Sequence, residues 1–131
     1  MCIFCDIIEG KIPSYKVYED EKVIGILDIS QVTKGHCIVM PKKHVANILE
    51  ADDETANACM HAAKSLAQTV VTKTNANGVN ILTNCKEAAG QTVDHLHFHV
   101  IPRFDETDAI SITFNESDNK DLDAIHKLIT E

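Results

Sequence analysis

Histidines alternate with apolar residues in one short run of this 131-residue chain, His95-Leu96-His97-Phe98-His99-Val100-Ile101. Successive side chains of a β-strand point to opposite faces of the sheet. The run therefore predicts a strand over residues 93–101 that turns its apolar side chains toward the core. The three imidazoles share the other face, about 7 Å apart along the strand.

Three interpretations of this imidazole face are open. It can be an ordinary exposed face, although such faces usually carry Thr, Lys, Glu or Ser. The three histidines can instead be ligands of one catalytic zinc ion. They can also act separately around a phosphate, as nucleophile, orienting partner and charge stabiliser. An unperturbed pKa of about 6.5 lets imidazole act as base, nucleophile or cation near neutral pH.

The rest of the chain predicts an α+β fold, with an antiparallel sheet of about five strands, one long helix and one C-terminal helix. A long helix begins after an N-cap at Asp52 and ends near Asn75. Ser117 is a candidate cap for the last helix, whose buried stripe would be Leu122, Ile125, Leu128 and Ile129. Besides the histidine strand, the predicted strands are residues 16–19, 22–28, 36–40 and 78–83. The length fits a single domain over residues 1–131.

Charge and composition exclude several classes of partner. The net charge is −8, whereas proteins that bind long nucleic acid carry a basic face. A small nucleotide is still possible, because histidines and backbone amides can hold one phosphate. No apolar run approaches the roughly 18 residues that a membrane span needs. Five cysteines, an odd number, and the absence of a signal-like N-terminus predict reduced thiols and a cytoplasmic protein.

The histidine run resembles the signature of the histidine-triad (HIT) superfamily, and further motifs resemble its Hint branch in order and spacing. The likeness covers about residues 2–104. It rests on Cys2-Ile3-Phe4-Cys5-Asp6-Ile7-Ile8, Ile12-Pro13, Leu27-Asp28-Ile29, Gly35-His36, Met40-Pro41-Lys42-Lys43-His44, Asn84 and Gly90-Gln91-Thr92. Residues 105–131 depart from the C-terminus expected of this branch, so the likeness says nothing about them.

The resemblance implies a role for each matching residue. His97 would be the nucleophile, oriented by the backbone carbonyl of His95, and would form a nucleotidyl-histidine intermediate. His99 and Asn84 would lie at the phosphate oxygens, with the Gly90 loop beside them. Gln91 and Thr92 would lie near the bridging atom and the leaving group, although Ser is more usual at position 92. Asp28 would bind the ribose hydroxyls, and Leu27 and Ile29 would line the base pocket.

The resemblance also implies an activity. The protein would be a hydrolase or transferase that cleaves purine nucleoside phosphoramidates or related nucleotidyl conjugates and releases AMP or GMP. Three alternatives stay open: a dinucleoside polyphosphate hydrolase, a nucleotide-binding protein without catalysis, and a zinc enzyme that uses all three histidines. The resemblance further implies a homodimer, for which the alanine-rich face of the long helix is the one supporting sequence feature.

Cys2 and Cys5 have the spacing of one half of a tetrahedral zinc site. The resemblance to bacterial-type members with such a pair implies that His44 and His95 complete it. Four protein ligands leave no position for an activated water, so the predicted Zn²⁺ is structural. The alternatives are a buried cysteine pair in a short amphipathic helix and a redox pair, although the βαβ unit typical of the latter is missing.

Overall fold

The computed structural model describes residues 2–131 and confirms the predicted α+β class. Five strands form one sheet, and three α-helices and a 3₁₀ turn accompany it. The elements are α1 (Ile3–Ile8), β1 (Lys16–Glu19), β2 (Val23–Leu27), β3 (Cys37–Pro41), α2 (Asp53–Thr74), β4 (Gly78–Leu82), the 3₁₀ turn (Glu87–Ala89), β5 (Phe98–Arg103) and α3 (Leu122–Thr130).

The sheet is antiparallel throughout, with strand order β1-β2-β3-β5-β4. The β1–β2 hairpin turns between the two predicted strands, where the Asp20 carboxylate accepts the backbone N–H groups of Lys22 and Val23. Strand β5 is an interior strand that pairs with β3 and with the edge strand β4, and it sets His99 opposite Ile38 on one side and Leu82 on the other. The last of the three histidines therefore has a paired strand on each side.

The alternation of side chains along the strands creates two cores. One face of the sheet packs against α2 and includes Val39, Phe98 and Val100. The opposite face packs against α1 through Phe4, with Ile38 and neighbouring side chains of the sheet. The histidines of the run belong to this second face, which is why α1 lies beside them.

Helix α2 begins and ends as predicted. The Asp52 side chain accepts the N–H of Thr55, and Asn75 ends the helix in the left-handed conformation. The alanine-rich face is buried against the chain's own sheet, with Ala62 and Ala63 fully enclosed. This face is therefore not available to a second subunit, contrary to the sequence-based hint. No helix within residues 2–131 has the length and hydropathy needed to cross a membrane.

The predicted histidine strand starts later than expected. Strand β5 begins at Phe98, so His95 and His97 precede it. Their alternation persists, since Leu96 is buried in the α2-side core. The main chain here bonds outside the ladder: the N–H of Leu96 donates to the carbonyl of Val45 at 2.7 Å, and the Thr83 hydroxyl donates to the carbonyl of His97. These contacts replace the regular strand pairing.

The C-terminal helix forms, but two of its predicted features are wrong. Its N-cap is Asp121, which accepts the N–H of Ala124, whereas Ser117 accepts an N–H in a preceding turn. The stripe predicted to be buried is largely exposed: the exposed fractions are 74% for Leu122, 81% for Leu128 and 76% for Ile129. The amphipathic pattern produced the helix, but no element within residues 2–131 packs on its apolar side.

Candidate functional site

His97 is held in one tautomer by the backbone. Its Nδ1 lies 2.7 Å from the carbonyl oxygen of His95. A carbonyl only accepts hydrogen bonds, so Nδ1 carries the proton of the neutral ring and Nε2 carries the lone pair. The ring of Phe4 meets the His97 ring edge-on, with centres 5.0 Å apart. A neutral imidazole with a free Nε2 lone pair is a nucleophile or a base.

A second group of polar side chains surrounds His99. Its Nδ1 lies 3.0 Å from Nε2 of His36, which in turn lies 3.6 Å from a carboxylate oxygen of Asp28. Burial, assisted by the nearby His97 and His36, lowers the pKa of His99 to about 4. Burial also lowers the pKa of His36, against the opposing effect of Asp28. Both rings are therefore neutral near pH 7.

One pocket gathers most of the predicted site residues. It has a volume of about 320 Å³, enough for a small ligand. Of the residues predicted from the sequence, Leu27, Asp28, Ile29, Gly90, Thr92, His97 and His99 line it. Its apolar wall is completed by side chains to which the sequence analysis gave no role, chiefly Ile3, Phe4 and Ile7 of α1, with Ile12 and Pro13. The only sequence signal for them was their position in the matching N-terminal motifs.

Two predicted site residues do not line this pocket. The Gln91 side chain is buried and bonds only to backbone: its Nε2 donates to the carbonyls of Ala46 and Val93, and its Oε1 accepts the N–H of Lys86. Asn84 lies beside Gly90, whose positive φ of 97° favours glycine. A Cβ built on Gly90 would lie 3.5 Å from Nδ2 of Asn84. Gln91 therefore holds the loop at the edge of the pocket, and Asn84 lies next to that loop.

Four side chains bring possible metal-ligand atoms together next to the pocket. They are Cys2, Cys5, His44 and His95, whose Sγ and Nδ1 atoms all lie within 4.8 Å of one another. The measured separations are 3.4 Å for Cys2–His95, 3.3 Å for Cys5–His44, 3.6 Å for Cys5–His95 and 3.1 Å for His44–His95. Ligands at zinc–ligand distances of about 2.0–2.3 Å have tetrahedral edges of roughly 3.3–3.8 Å. The four residues therefore fit a closed tetrahedral metal site.

His95 links the metal-ligand cluster to His97. Its Nε2 lies 2.8 Å from the carbonyl oxygen of Pro41, which requires a proton on Nε2 and leaves the Nδ1 lone pair directed at the cluster. His97 belongs to no group of candidate ligands among the described residues, and His99 lies in a different group with Asp28 and His36. The hypothesis that all three histidines hold one catalytic zinc ion is therefore wrong.

Comparison with known proteins places this geometry in a family. The HIT domain model matches residues 9–106. A HIT family protein of known structure from Bacillus subtilis is 45% identical over 98% of this chain and 94% of its own, with a TM-score of 0.90. Adenosine 5'-monophosphoramidase HNT1 of Saccharomyces cerevisiae is 38% identical over 96% of this chain and 78% of its own. A zinc-bound histidine triad family protein from Mycobacterium smegmatis is 32% identical over 98% and 95%, with a TM-score of 0.78.

Proposed function

The chain belongs to the HIT domain family, and on that premise we propose that it is an enzyme that cleaves purine nucleoside phosphoramidates or related nucleotidyl conjugates. The observation that carries the proposal is the hydrogen bond from Nδ1 of His97 to the His95 carbonyl. It occupies Nδ1 and leaves Nε2 as the free ring nitrogen of a residue that lines the pocket. The yeast relative named for adenosine 5'-monophosphoramidase activity supports this choice of substrate.

The reaction proceeds in two displacements at the α-phosphorus. In the first, Nε2 of His97 forms a bond to phosphorus while the phosphorus–nitrogen bond of the substrate breaks. The amine leaves with a proton, and we assign its delivery to the hydroxyl of Thr92, which lines the pocket. In the second, water attacks the nucleotidyl-histidine and gives a proton back to the Thr92 oxygen, the bond to Nε2 breaks, and AMP or GMP is released. His97 returns to its neutral state.

Charge on the phosphoryl oxygens requires donors that are fixed before the reaction. We assign this role to the ring of His99, the Asn84 amide and the backbone at Gly90. These groups lie around one edge of the pocket. The rings of His97 and His99 are 5.2 Å apart between centres, so His97 can attack phosphorus while His99 contacts a phosphoryl oxygen.

The remaining pocket residues would bind the nucleoside. The Asp28 carboxylate is partly exposed, and its Oδ1 accepts the N–H of Ser30. A carboxylate can accept both ribose hydroxyl hydrogens, which we assign to Asp28. The apolar surface formed by Leu27, Ile29 and α1 suits a flat purine ring, which gains affinity from burial rather than from directed hydrogen bonds.

We propose that the metal at the four-ligand cluster is structural Zn²⁺. Two thiolates and two imidazoles are ligands that zinc prefers, and the zinc-bound relative from Mycobacterium smegmatis agrees with that choice. When bound, the ion would supply a cross-link between the start of α1 and the loop that carries His95. The protein's own groups, not the ion, would carry out the chemistry.

The oligomeric state and the location of the protein are proposed as well. We propose that the protein acts as a homodimer, which sedimentation equilibrium of the purified chain tests directly. We also propose a cytoplasmic location, consistent with five cysteines that are all free. Fractionation of cells that express the tagged full chain would check the location.

The activity is tested with an adenosine 5'-phosphoramidate and chromatographic detection of AMP. We expect turnover by the wild type and by His61→Gln, a control on the exposed face of α2. His97→Gln should reduce the rate by about 10³-fold or more. Alkaline quenching and mass spectrometry should find a nucleotidyl adduct in the wild type and in His61→Gln, but not in His97→Gln. Equal rates for wild type and His97→Gln would contradict the proposal.

The same assay separates the alternatives. Faster turnover of a diadenosine polyphosphate than of the phosphoramidate would favour the dinucleoside polyphosphate hydrolase. AMP binding in calorimetry without turnover of either substrate would favour a nucleotide-binding protein without catalysis. The segment Met40-Pro41-Lys42-Lys43 and the Gln91-Thr92 pair resemble the Hint branch, which favours the phosphoramidate.

A further inference from the structure

His36 is a buried imidazole that the proposed reaction does not use. It directly precedes β3, and only 3% of its surface is exposed. Its ring packs against that of His99, with centres 5.2 Å apart, and Nε2 of His36 lies 3.0 Å from Nδ1 of His99. One of these nitrogens must donate and the other accept. The direction of this hydrogen bond determines which nitrogen of His99 carries a proton.

Two neighbours of His36 determine that direction. The backbone N–H of Val32 points at Nδ1 of His36 across 3.4 Å. Because a backbone N–H only donates, Nδ1 of His36 must carry a lone pair. A carboxylate oxygen of Asp28 lies 3.6 Å from Nε2 of His36, and its negative charge favours a proton there. Both contacts place the proton of the neutral His36 ring on Nε2.

The consequence passes to His99. Since Nε2–H of His36 donates, Nδ1 of His99 accepts, and the neutral His99 ring carries its proton on Nε2. Within residues 2–131, Nε2 of His99 has no hydrogen-bond partner, and its ring lines the pocket. The groups that face these two rings are Asp28 and His97, together with the rings themselves. Burial lowers the pKa of His99 to about 4, with a further lowering by His97 and His36 and an opposing effect of Asp28.

We propose that His36 is a positioning residue that holds His99 as a neutral hydrogen-bond donor, with its Nε2–H directed at a phosphoryl oxygen in the pocket. The identity of that acceptor rests on the proposed function, whereas the tautomer of His99 is a property of the free protein. The two neighbouring histidines then have opposite forms. His97 has its proton on Nδ1 and a lone pair for attack, and His99 has its proton on Nε2 for the oxygen.

Nitrogen-15 NMR of the zinc-loaded, histidine-labelled protein at pH 7.5 reads both tautomers directly. In the wild type we expect the proton on Nε2 of His99 and on Nδ1 of His97. His36→Leu removes the donor, and we expect an averaged His99 signal and a pKa that moves toward 6.5. His36→Gln keeps an amide N–H near the position of Nε2, and it should retain the single tautomer.

Kinetics give the second measurement. We expect His36→Leu to lower kcat by about tenfold, since the donor is misoriented but still present, with KM changed less than about twofold. His36→Gln should restore most of the loss. Thr33→Val is the matched control: it removes a buried hydrogen bond of 2.6 Å to the Pro102 carbonyl in the same loop, and should cost stability without changing the His99 signals.

Three results would overturn the role of His36. They are a wild-type His99 with its proton on Nδ1, unchanged His99 signals and kcat in a folded His36→Leu, and a second metal ion per chain that His36→Leu abolishes. The last would mean that Asp28, His36 and His99 are metal ligands. If His36→Leu does not fold, the tautomer of His99 in the wild-type protein decides whether the role of His36 stands. If no conjugate is cleaved but the tautomers are as expected, the proposed activity fails and the role of His36 stands.

Discussion

His95 accepts a hydrogen bond from His97 through its backbone carbonyl, at 2.7 Å, while its own side chain belongs to the metal-ligand cluster. One residue therefore orients the proposed nucleophile and closes the proposed metal site. Phe4 reinforces the link, because its ring contacts both imidazoles edge-on, at 5.9 Å from His95 and 5.0 Å from His97 between centres. The position of α1 and the geometry of His97 are thus coupled.

Removing a cysteine ligand should release zinc and destabilise this corner of the molecule. We expect one zinc ion per chain in the wild type and in Cys85→Ser, a control cysteine outside the cluster, and none in Cys5→Ser. Loss of the cross-link should cost about 2 kcal/mol or more, and lower Tm by roughly 5–10 °C. Elemental analysis and thermal unfolding measure both. Equal metal content and Tm in all three proteins would exclude the predicted site.

Gln91 should act on stability through the pocket loop. Gln91→Leu leaves the carbonyls of Ala46 and Val93 and the N–H of Lys86 without their side-chain partner. Unpaired buried groups cost about 1–3 kcal/mol each where water cannot replace the partner, so we expect a total loss of about 2–4 kcal/mol. Urea unfolding is the measurement, with the exposed Gln68→Ala on α2 as control. A change similar to that of the control would mean that the loop does not depend on Gln91.

The exposed stripe of α3 should contribute little to the stability of the isolated chain. Leu128→Ala removes a side chain that is 81% exposed, whereas Leu66→Ala removes one that is 3% exposed between α2 and the sheet. We expect Leu128→Ala to lower the free energy of unfolding by less than about 0.5 kcal/mol, and Leu66→Ala to lower it by about 2–5 kcal/mol. Chemical unfolding at low protein concentration compares them. A comparable loss in both variants would show that the stripe is buried in solution.

Acid should destabilise the fold through His99. The folded pKa is about 4, below the unfolded value of about 6.5, so the unfolded chain binds the proton first as the pH falls. His99 therefore has no effect on stability above about pH 7. Below about pH 6.5 it lowers the free energy of unfolding, and the full loss is reached near pH 4. Between pH 7.5 and 5 the stability of the wild type relative to His99→Gln should fall by about 2 kcal/mol. A constant difference between the two proteins would contradict the lowered pKa.

The sequence alone predicted what depends on local pattern. The two-residue period placed the strands, and the caps at Asp52 and Asn75 located the long helix, because these signals act over a few neighbouring residues. Motif order also indicated seven of the residues that line the pocket, and the four possible metal ligands. These residues lie far apart in the chain, so only the resemblance, not their spacing, could group them.

Tertiary structure decided everything that depends on which groups meet. The Leu96–Val45 contact delays the start of β5, and nothing in the periodicity of the histidine run signals it. The pattern of α3 predicts an apolar face but not a partner for it. Gln91 bonds to backbone groups that only the folded chain brings to it. His36 and His99 are 63 positions apart in the sequence and come into contact only when the sheet forms. Local propensity is a property of neighbouring residues, whereas a tautomer, a pKa or a ligand set depends on atoms that only folding brings within hydrogen-bond distance.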